Sequence, residues 1–474
     1  MERVEQLTDR IIRRININLQ EFAFDAGPYL RNIVPTNQLG KFYAFYGIWP
    51  HHPLYFHFSN SNLSGSYFLG KCEIYNSILY KSDIRGDELK QKGKTYHLGG
   101  FDVKAEEDEI IRIRDSFLIK TLVHSYSHDP EQTDLFLIKN TVSGPYANIH
   151  GSPVEGCFMG PFSTVDLTTL YDCIIGAYSY IQVGELSHRR IEAGQVWIRK
   201  EGAFDFRYQF PPDVLASRYL AFRPDKAPVG LFMDFAEDRK TDFQEIFDVV
   251  HLSQTIAVPK GASVNRYALV KGQSHVSENV LVAQRAFLED AWLGKGANAQ
   301  ENCYISHSRL EGYDVTAHGA TIIYSNLGEK VFVGFNAFLQ GRADALLTIG
   351  EESIVLPHTI IDIKVPLQIP PRRLVWGRIV DQKDLENHSI SLEQLADIRG
   401  ELSWGNMRFN GNGLAFVEAF RHRIEHILTD NGAYFDDEKN IGHAQKGQNI
   451  SFNIIQPYPN GELEGLYPTL DIRP

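Results

Sequence analysis

The sequence predicts a mainly β chain wound as a parallel β-helix, and two regularities carry that prediction. From Val258 an aliphatic residue opens every sixth position, at Val258, Val264, Val270, Val276, Val282 and Leu288, and a small residue follows four later at Ala262, Ala268, Ser274 and Ala286. An amphipathic helix repeats its apolar positions every three or four residues and a flat strand every two, so a period of six fits neither. It fits a coil of three short faces, in which each hexad makes one strand and one corner and about 18 residues complete a turn. The aliphatic side chain fills the prism, and the small one sits where the corner is tightest.

The second regularity is a shortened step: aliphatic, two free residues, Ser/Cys/Ala, one free residue, aliphatic. It occurs as Ile74-Ser77-Leu79, Leu79-Ser82-Ile84, Leu170-Cys173-Ile175, Leu288-Ala291-Leu293, Ile305-Ser308-Leu310 and Ile322-Ser325-Leu327. The hexads resume in a new phase after such steps, as in Leu293 with Ala297 or Leu327 with Val331. These are shortened faces of the same prism.

Taken in order, residues 1–56 form an N-terminal helix and cap. Val4, Leu7, Ile11, Ile12 and Ile15 make one apolar helical stripe. The aromatic run FYAFYGIWPHHPLYFHF after it reads as strands and loops. Residues 57–195 hold the first coils, with an insertion at about 87–150 that contains DELKQKGKTYH and the β-like LFLIKNTV. Residues 196–255 form a second insertion, and residues 256–380 are the main β-helix. It ends at IPPRRLVWGRI, whose prolines cannot continue a ladder. In the C-terminal helical region and tail, 381–474, Ser391 and Gln394 form a capping box. Leu414, Val417, Phe420, Ile424 and Leu428 then mark an amphipathic helix. The pattern leaves open whether the coils form one prism or two.

The bulk properties bound the function. At 474 residues and 43% hydrophobic content the chain has a substantial core. Lys plus Arg (47) against Asp plus Glu (59) gives a net charge of −12, which argues against nucleic acid as a partner. The four cysteines form no CxxC pair, so neither a zinc site nor a disulfide framework is expected, and a reducing compartment fits. The charged N-terminus lacks the apolar core of a signal peptide and no apolar run is long enough to span a bilayer, so the expected location is cytoplasmic, without a membrane span.

The segments CYISHSRLEG and TIIYSNLGEKVFVGFNAF resemble the coils of sugar-nucleotide pyrophosphorylases, and IPPRRLVWG resembles the exit coil of hexapeptide acyltransferases. Roughly half of the chain is thus similar to the hexapeptide-repeat, left-handed β-helix superfamily. The resemblance implies left-handed coils and a homotrimer. The pyrophosphorylases carry catalysis on an N-terminal domain with a Gly-rich loop. The charged helix here has no such loop, which disfavours nucleotidyl transfer. Acyl transfer, metal-dependent hydration of the γ-carbonic-anhydrase type and a non-catalytic scaffold remain, since fold alone does not give function.

In the acyltransferases it resembles, a histidine on the outside of a coil acts as general base. The segment TAHGAT matches that hexad: Thr316 opens it, His318 lies two later and points outward, and Ala320 fills the small position. His307 stands in the same phase, two after Ile305. With 17 histidines in the chain, an ordinary solvated histidine in either place is the competing reading. Arg372, Arg373 and Arg378 flank the exit strand, where the resemblance places coenzyme A phosphates, which guanidinium forks can grip. A solvated cluster capping the prism is the alternative, and the family's Gly-x-Pro-Ala is missing after the strand, because Gly377 is followed by Arg378 and Ile379.

A γ-carbonic-anhydrase site needs three histidines, two of them five residues apart, and the residue five before His318 is Tyr313. Such a site would need His307, His318 and a third histidine from another subunit, and no bound metal is expected. His124 and His128, at i and i+4 in HSYSHD, could share a metal only on a helix, and the serines favour a loop. His422 and His426 have that spacing on a helix but no acidic partner motif. The expected function is transfer of an acyl group from acyl-CoA or an acyl carrier protein to a sugar-like, sugar-nucleotide or other small-molecule acceptor. The alternatives are a non-catalytic scaffold or ligand-binding assembly protein, then a γ-carbonic-anhydrase-like metal site.

Overall fold

The computed structural model describes the chain except residues 1, 32, 41–42, 50–53, 99–100, 244–255, 457–465, 467–468 and 474. The histidines of HHPLYFHF at 51 and 52 and the end of the second expected insertion lie outside the described residues. The chain divides into two compact units, Met1–Ile198 with Pro211–Met233 and Ile450–Pro474, and Arg199–Phe210 with Asp234–Asn449. Each winds three parallel sheets around its own apolar core. The coils therefore form two prisms.

In the first unit one coil reads Val154–Glu155, Phe158–Met159 and Thr164–Asp166, and the next Thr168–Tyr171, Ile174–Ile175 and Tyr180–Gln182. Val154 lies beside Leu170, Thr164 beside Tyr180 and Ile174 beside Arg190, a step of 16 residues on every face. One hexad and two shortened steps make that length. The segment Cys72 to Gly86 holds two such steps in succession, and its Ile74, Leu79 and Ile84 are fully buried inside the prism.

The local physics of the shortened step is visible at its corner. The residue before the small one takes the left-handed conformation, with φ of 47° at Asn76, 48° at Lys81 and 49° at Asp172. The small residue then lends its side chain to the next coil. Ser61 Oγ accepts the Ser77 N–H at 3.1 Å, Ser77 Oγ the Ser116 N–H at 3.2 Å, Ser116 Oγ the Thr141 N–H at 3.1 Å, and Cys157 Sγ the Cys173 N–H at 3.3 Å. A buried amide needs an acceptor, so the corner selects serine, threonine or cysteine.

The first insertion is shorter than 87–150. Ile110–Arg114, Phe117–Ile119 and Leu122–His124 make a full coil, pairing Ile111 with Cys72, Phe117 with Ile78 and Leu122 with Asp83. Among the described residues of this stretch, 86–98 and 101–109, which carry the hairpin Thr95–Leu98 and Phe101–Lys104, and the loop 125–134 leave the ladder. The shortened step is present there as Ile113-Ser116-Leu118 and, with threonine, Leu118-Thr121-Val123. The outward charges of Arg112 and Arg114 mask it.

The N-terminal helix Glu2–Asn18 buries Val4, Leu7, Ile11, Ile12 and Ile15 against outward residues of the second face, among them Ile78, Phe117, Phe158 and Ile174. Residues expected in the second insertion extend the ladder: Gln195–Lys200 continues the third face, with Val196 beside Tyr180. Ser451–Ile455 pairs antiparallel with Ala44–Ile48, and Leu470–Ile472 with Tyr55–Ser59, capping the first edges.

The second unit opens with an 18-residue step, Ser263 beside Leu281, runs at 17 with Asn298 beside Val315 and Tyr304 beside Thr321, and lengthens to 22 where Phe332 lies beside Ile354. The exit strand Arg373–Val375 pairs with Ile354–Val355 and is closed antiparallel by Ser389–Ser391. Ser391 and Gln394 make the expected capping box of Leu392–Ala396. The helix Gly413–Asn431 buries Val417, Phe420, Ile424 and Leu428, but Phe416 takes the inward place expected of Leu414, which is exposed. Among the described residues no helix is long and apolar enough to cross a membrane.

Candidate functional site

His318 occupies the six-residue corner between Val315–Thr316 and Thr321–Ile323 of the second unit. The Ala320 N–H donates to Ala317 O at 3.1 Å, and Gly319 closes the turn at φ 74°. A Cβ on Gly319 would lie 2.2 Å from Asn336 Oδ1, and glycine takes this φ without strain. The coil step of 17 places Glu301 one coil before His318 and Phe335 one coil after. His318 Nδ1 lies 2.9 Å from Glu301 Oε2, and the ring centroids of His318 and Phe335 are 5.2 Å apart. The outward phase expected of His318 is not a solvated one: the His318 and Glu301 side chains are 2% and 5% exposed.

The approach of the two side chains is an ion-pair contact without an aligned hydrogen bond at Nδ1, and a carboxylate so close offsets positive charge on the ring. The pair can therefore accept a proton and hold the resulting positive charge.

His307 lies elsewhere. It is the left-handed residue, φ 47°, of a shortened corner between Tyr304–Ser306 and Arg309–Leu310. Its Nδ1 is 3.4 Å from Asp290 Oδ2 and its ring stacks on Tyr324 with centroids 4.6 Å apart. The offset of two from an aliphatic residue is the same as at His318, but in a five-residue step it marks the corner residue itself. The two histidines stand at different corners of the coil.

Of the exit-strand arginines, Arg372 is held by two carboxylates, Nη1 to Glu352 Oε2 and Nε to Glu393 Oε1, each at 2.5 Å. Arg373 Nη2 donates to Ser389 Oγ at 2.9 Å. The backbone of Arg378 bonds the Tyr208 hydroxyl, while burial pushes that phenol up to about 12. His426 Nε2 meets Asp430 Oδ2 at 3.1 Å on an exposed helix face.

The first unit holds a second cluster that the sequence reading did not find. On its third face Ile84, Val123, Ile149, Val165 and Ile181 point into the prism, so Arg85, His124, His150, Asp166 and Gln182 form one outward column. These residues are polar, yet most are buried. His150 Nδ1 lies 2.8 Å from Asp166 Oδ1, and the Tyr180 hydroxyl donates to Asp166 Oδ2. His124 lies in register with His150, their rings 5.5 Å apart. The signal was a polar recurrence every 16 residues, His150 to Asp166 to Gln182, which becomes readable once the coil length is known.

The segment HSYSHD is strand and loop, so His124 and His128 do not share a helical face. The loop is pinned from below: Lys90 Nζ, buried, bonds Glu109 Oε1 at 3.1 Å and Ser127 O at 2.6 Å. Burial is the largest influence on both charges, lowering the Lys90 ammonium and raising the Glu109 carboxyl. His128 Nδ1 donates to Tyr126 O at 3.0 Å, and burial followed by the charge of His150 lowers it to about 4.

The family described as hexapeptide repeat including loop matches residues 101–224. A crystal structure of a provisionally named acetyltransferase from Desulfovibrio desulfuricans G20 superposes with a TM-score of 0.93 at 49% identity, over 100% of this chain and 99% of that one. The chain belongs to the hexapeptide-repeat β-helix acyltransferase superfamily. The family match begins in the hairpin and runs through the coils first read as insertion, in agreement with the ladder. A provisionally named acetyltransferase from Bacillus cereus covers 36% of this chain and 91% of its own at 15% identity and a TM-score of 0.23, too low to add to the argument. No curated protein matches.

Proposed function

We propose that this superfamily member transfers an acyl group from coenzyme A or an acyl carrier protein to a hydroxyl or amine of a small, sugar-like acceptor, with His318 as general base. The observation that carries the reading is the 2.9 Å approach of Glu301 Oε2 to His318 Nδ1 in a buried corner. The provisional name of the 49% identical relative supports the reaction class.

In this mechanism Nε2 of His318 takes the acceptor's proton as its oxygen or nitrogen attacks the thioester carbonyl carbon. Glu301 offsets the imidazolium charge, strongly so in a site where water screens little. The carbon–sulfur bond then breaks, the thiolate leaves, and His318 returns the proton to sulfur, so the base is regenerated. Arg373 and Arg378 are the proposed contacts for the donor's phosphates, since the Arg372 guanidinium is already neutralised by two acids. The burial of His318 keeps the thioester from water and requires this corner to open for the acceptor. A homotrimer belongs to the same reading, with light scattering as its check.

The test is thiol release from acetyl-CoA with a panel of amino sugars, sugar nucleotides and alcohols. His318→Ala is expected to lower turnover by about 10²–10⁴-fold. Retained turnover removes His318 from the mechanism, and no thiol release with any acceptor removes acyl transfer.

A further inference from the structure

We infer that Cys157 and Cys173 form a reversible oxidation site, a thiol pair that a small hydroperoxide converts into a disulfide between two successive coils of the first unit. The coil step of 16 brings them together. Val154 lies beside Leu170 and Phe158 beside Ile174, so Cys157 and Cys173 occupy the same corner one coil apart. A search for CxxC spacing passes over such a pair, because its contact depends on coil length.

Neighbouring parallel strands stand about 4.8 Å apart, inside the range of about 4.4–6.8 Å that a disulfide allows between Cα atoms. The two side chains are already engaged. Cys157 Sγ accepts the Cys173 N–H at 3.3 Å. Cys157 Sγ donates to Glu155 O and Cys173 Sγ to Tyr171 O, each at 3.2 Å and each two residues back, so both thiols point the same way. The other cysteines have no such neighbour: Cys72 lies between Phe56 and Ile111, and Cys303 between Ala286 and Ala320.

The two thiols are not equivalent. The hydrogen bond with Cys157 lowers the Cys173 thiol against the opposing effect of burial, whereas burial raises Cys157. Cys173 is therefore the attacking sulfur and Cys157 the resolving one. Both are fully buried, which admits an oxidant of peroxide size and excludes a bulky one. Access comes from the end of the prism. The next coil, Gly184–Ser187 and Arg190–Ile191, supplies the last strands of two sheets, and Ser187, His188, Arg189 and Arg190 are exposed. Such edge coils open at low cost.

In the first step the Cys173 thiolate attacks one oxygen of hydrogen peroxide, the O–O bond breaks, and the leaving hydroxide takes up the thiol's proton as water. Cys157 Sγ then attacks the sulfenic sulfur. The S–S bond forms, the S–O bond breaks, and the hydroxide leaves as water with the Cys157 proton. The two sulfurs give up two electrons to the peroxide, so two thiols and one peroxide yield one disulfide and two waters.

The experiment treats the reduced full chain with hydrogen peroxide under native conditions, alkylates the remaining thiols in denaturant and maps peptides by mass spectrometry. One cross-linked peptide pair containing Cys157 and Cys173 is expected, lighter by two hydrogens and restored by dithiothreitol, with Cys72 and Cys303 alkylated. Serine serves this corner elsewhere, as at Ser77, so Cys157→Ser and Cys173→Ser keep its acceptor. Cys157→Ser should stop at a sulfenic acid on Cys173 that dimedone traps, and Cys173→Ser should show neither link nor adduct. Glutathione disulfide should leave the native chain unmodified. A link that forms only in denaturant, or over-oxidation of Cys173 without a link, overturns the site.

Discussion

The hydroxyl of Ser77 accepts the backbone N–H of Ser116 at 3.2 Å, although 39 residues separate them. The chain leaves the prism after Gly86 and returns to the same corner column, so the hydrogen bond marks the point at which the ladder resumes. Ser77→Ala leaves the buried Ser116 N–H without that acceptor and is expected to cost about 1–3 kcal/mol. Ser77→Cys should cost less, because Cys157 performs the same task for Cys173. Urea denaturation gives the difference, and amide exchange at Ser116 localises it. Slow exchange in Ser77→Ala would show that another acceptor serves this amide.

Glu301→Gln separates an oriented base from a merely buried histidine. Glutamine keeps the size but removes the charge that offsets the imidazolium, so kcat should fall by about 10²-fold or more while KM for acetyl-CoA stays unchanged. His307→Ala, at a different corner and stacked on Tyr324, should leave kcat at the parental value. A loss in His307→Ala equal to that in His318→Ala would contradict the assignment of the base.

The inward half of this architecture is legible in the sequence because each inward position is set by residue type alone: Ile74, Leu79 and Ile84 identify themselves. Outward columns are not legible in that way, since which residues meet depends on coil length. At a step of 16 His150 meets Asp166, whereas a uniform step of 18 would set it beside Thr168. The loop 125–134 moves the partner of His124 further still, to His150. His318 was found because a six-residue corner displays its second residue outward, and His307 was placed with it only because the five-residue corner shares the count. The Ser and Thr columns at Ser116 and Thr121 were overlooked because charged neighbours obscured the short step.

Alkaline stability should report on the exit coil. Tyr208 is 2% exposed, and burial raises its phenol from 10.0 to about 12. Above pH 10 the unfolded chain loses this proton while the folded chain keeps it, so stability falls between pH 10 and about 12 and levels off beyond. A shift of about two units bounds the loss at about 3 kcal/mol. Tyr208→Phe should flatten this window, at a cost of about 1 kcal/mol near neutrality for the lost bond to the Arg378 backbone. Denaturation midpoints from pH 9 upward, compared between parent and variant, are the measurement; parallel curves would mean that Tyr208 does not titrate there.

Arg372 tests how far the exit strand grips a donor. Its guanidinium spans Glu352 and Glu393 on an exposed edge, where ion pairs contribute about 0–1 kcal/mol. Arg372→Ala should therefore change stability by less than about 1 kcal/mol and leave KM for acetyl-CoA unaltered. Arg373→Ala and Arg378→Ala should instead raise that KM, because a lost charge-assisted bond to phosphate, about 1.5–3 kcal/mol, corresponds to roughly 10–100-fold. The comparison is made with one acceptor under initial-rate conditions. A KM increase confined to Arg372→Ala would show that Glu352 and Glu393 release the guanidinium when the donor binds, so that the bridge is a resting partner and not a permanent one.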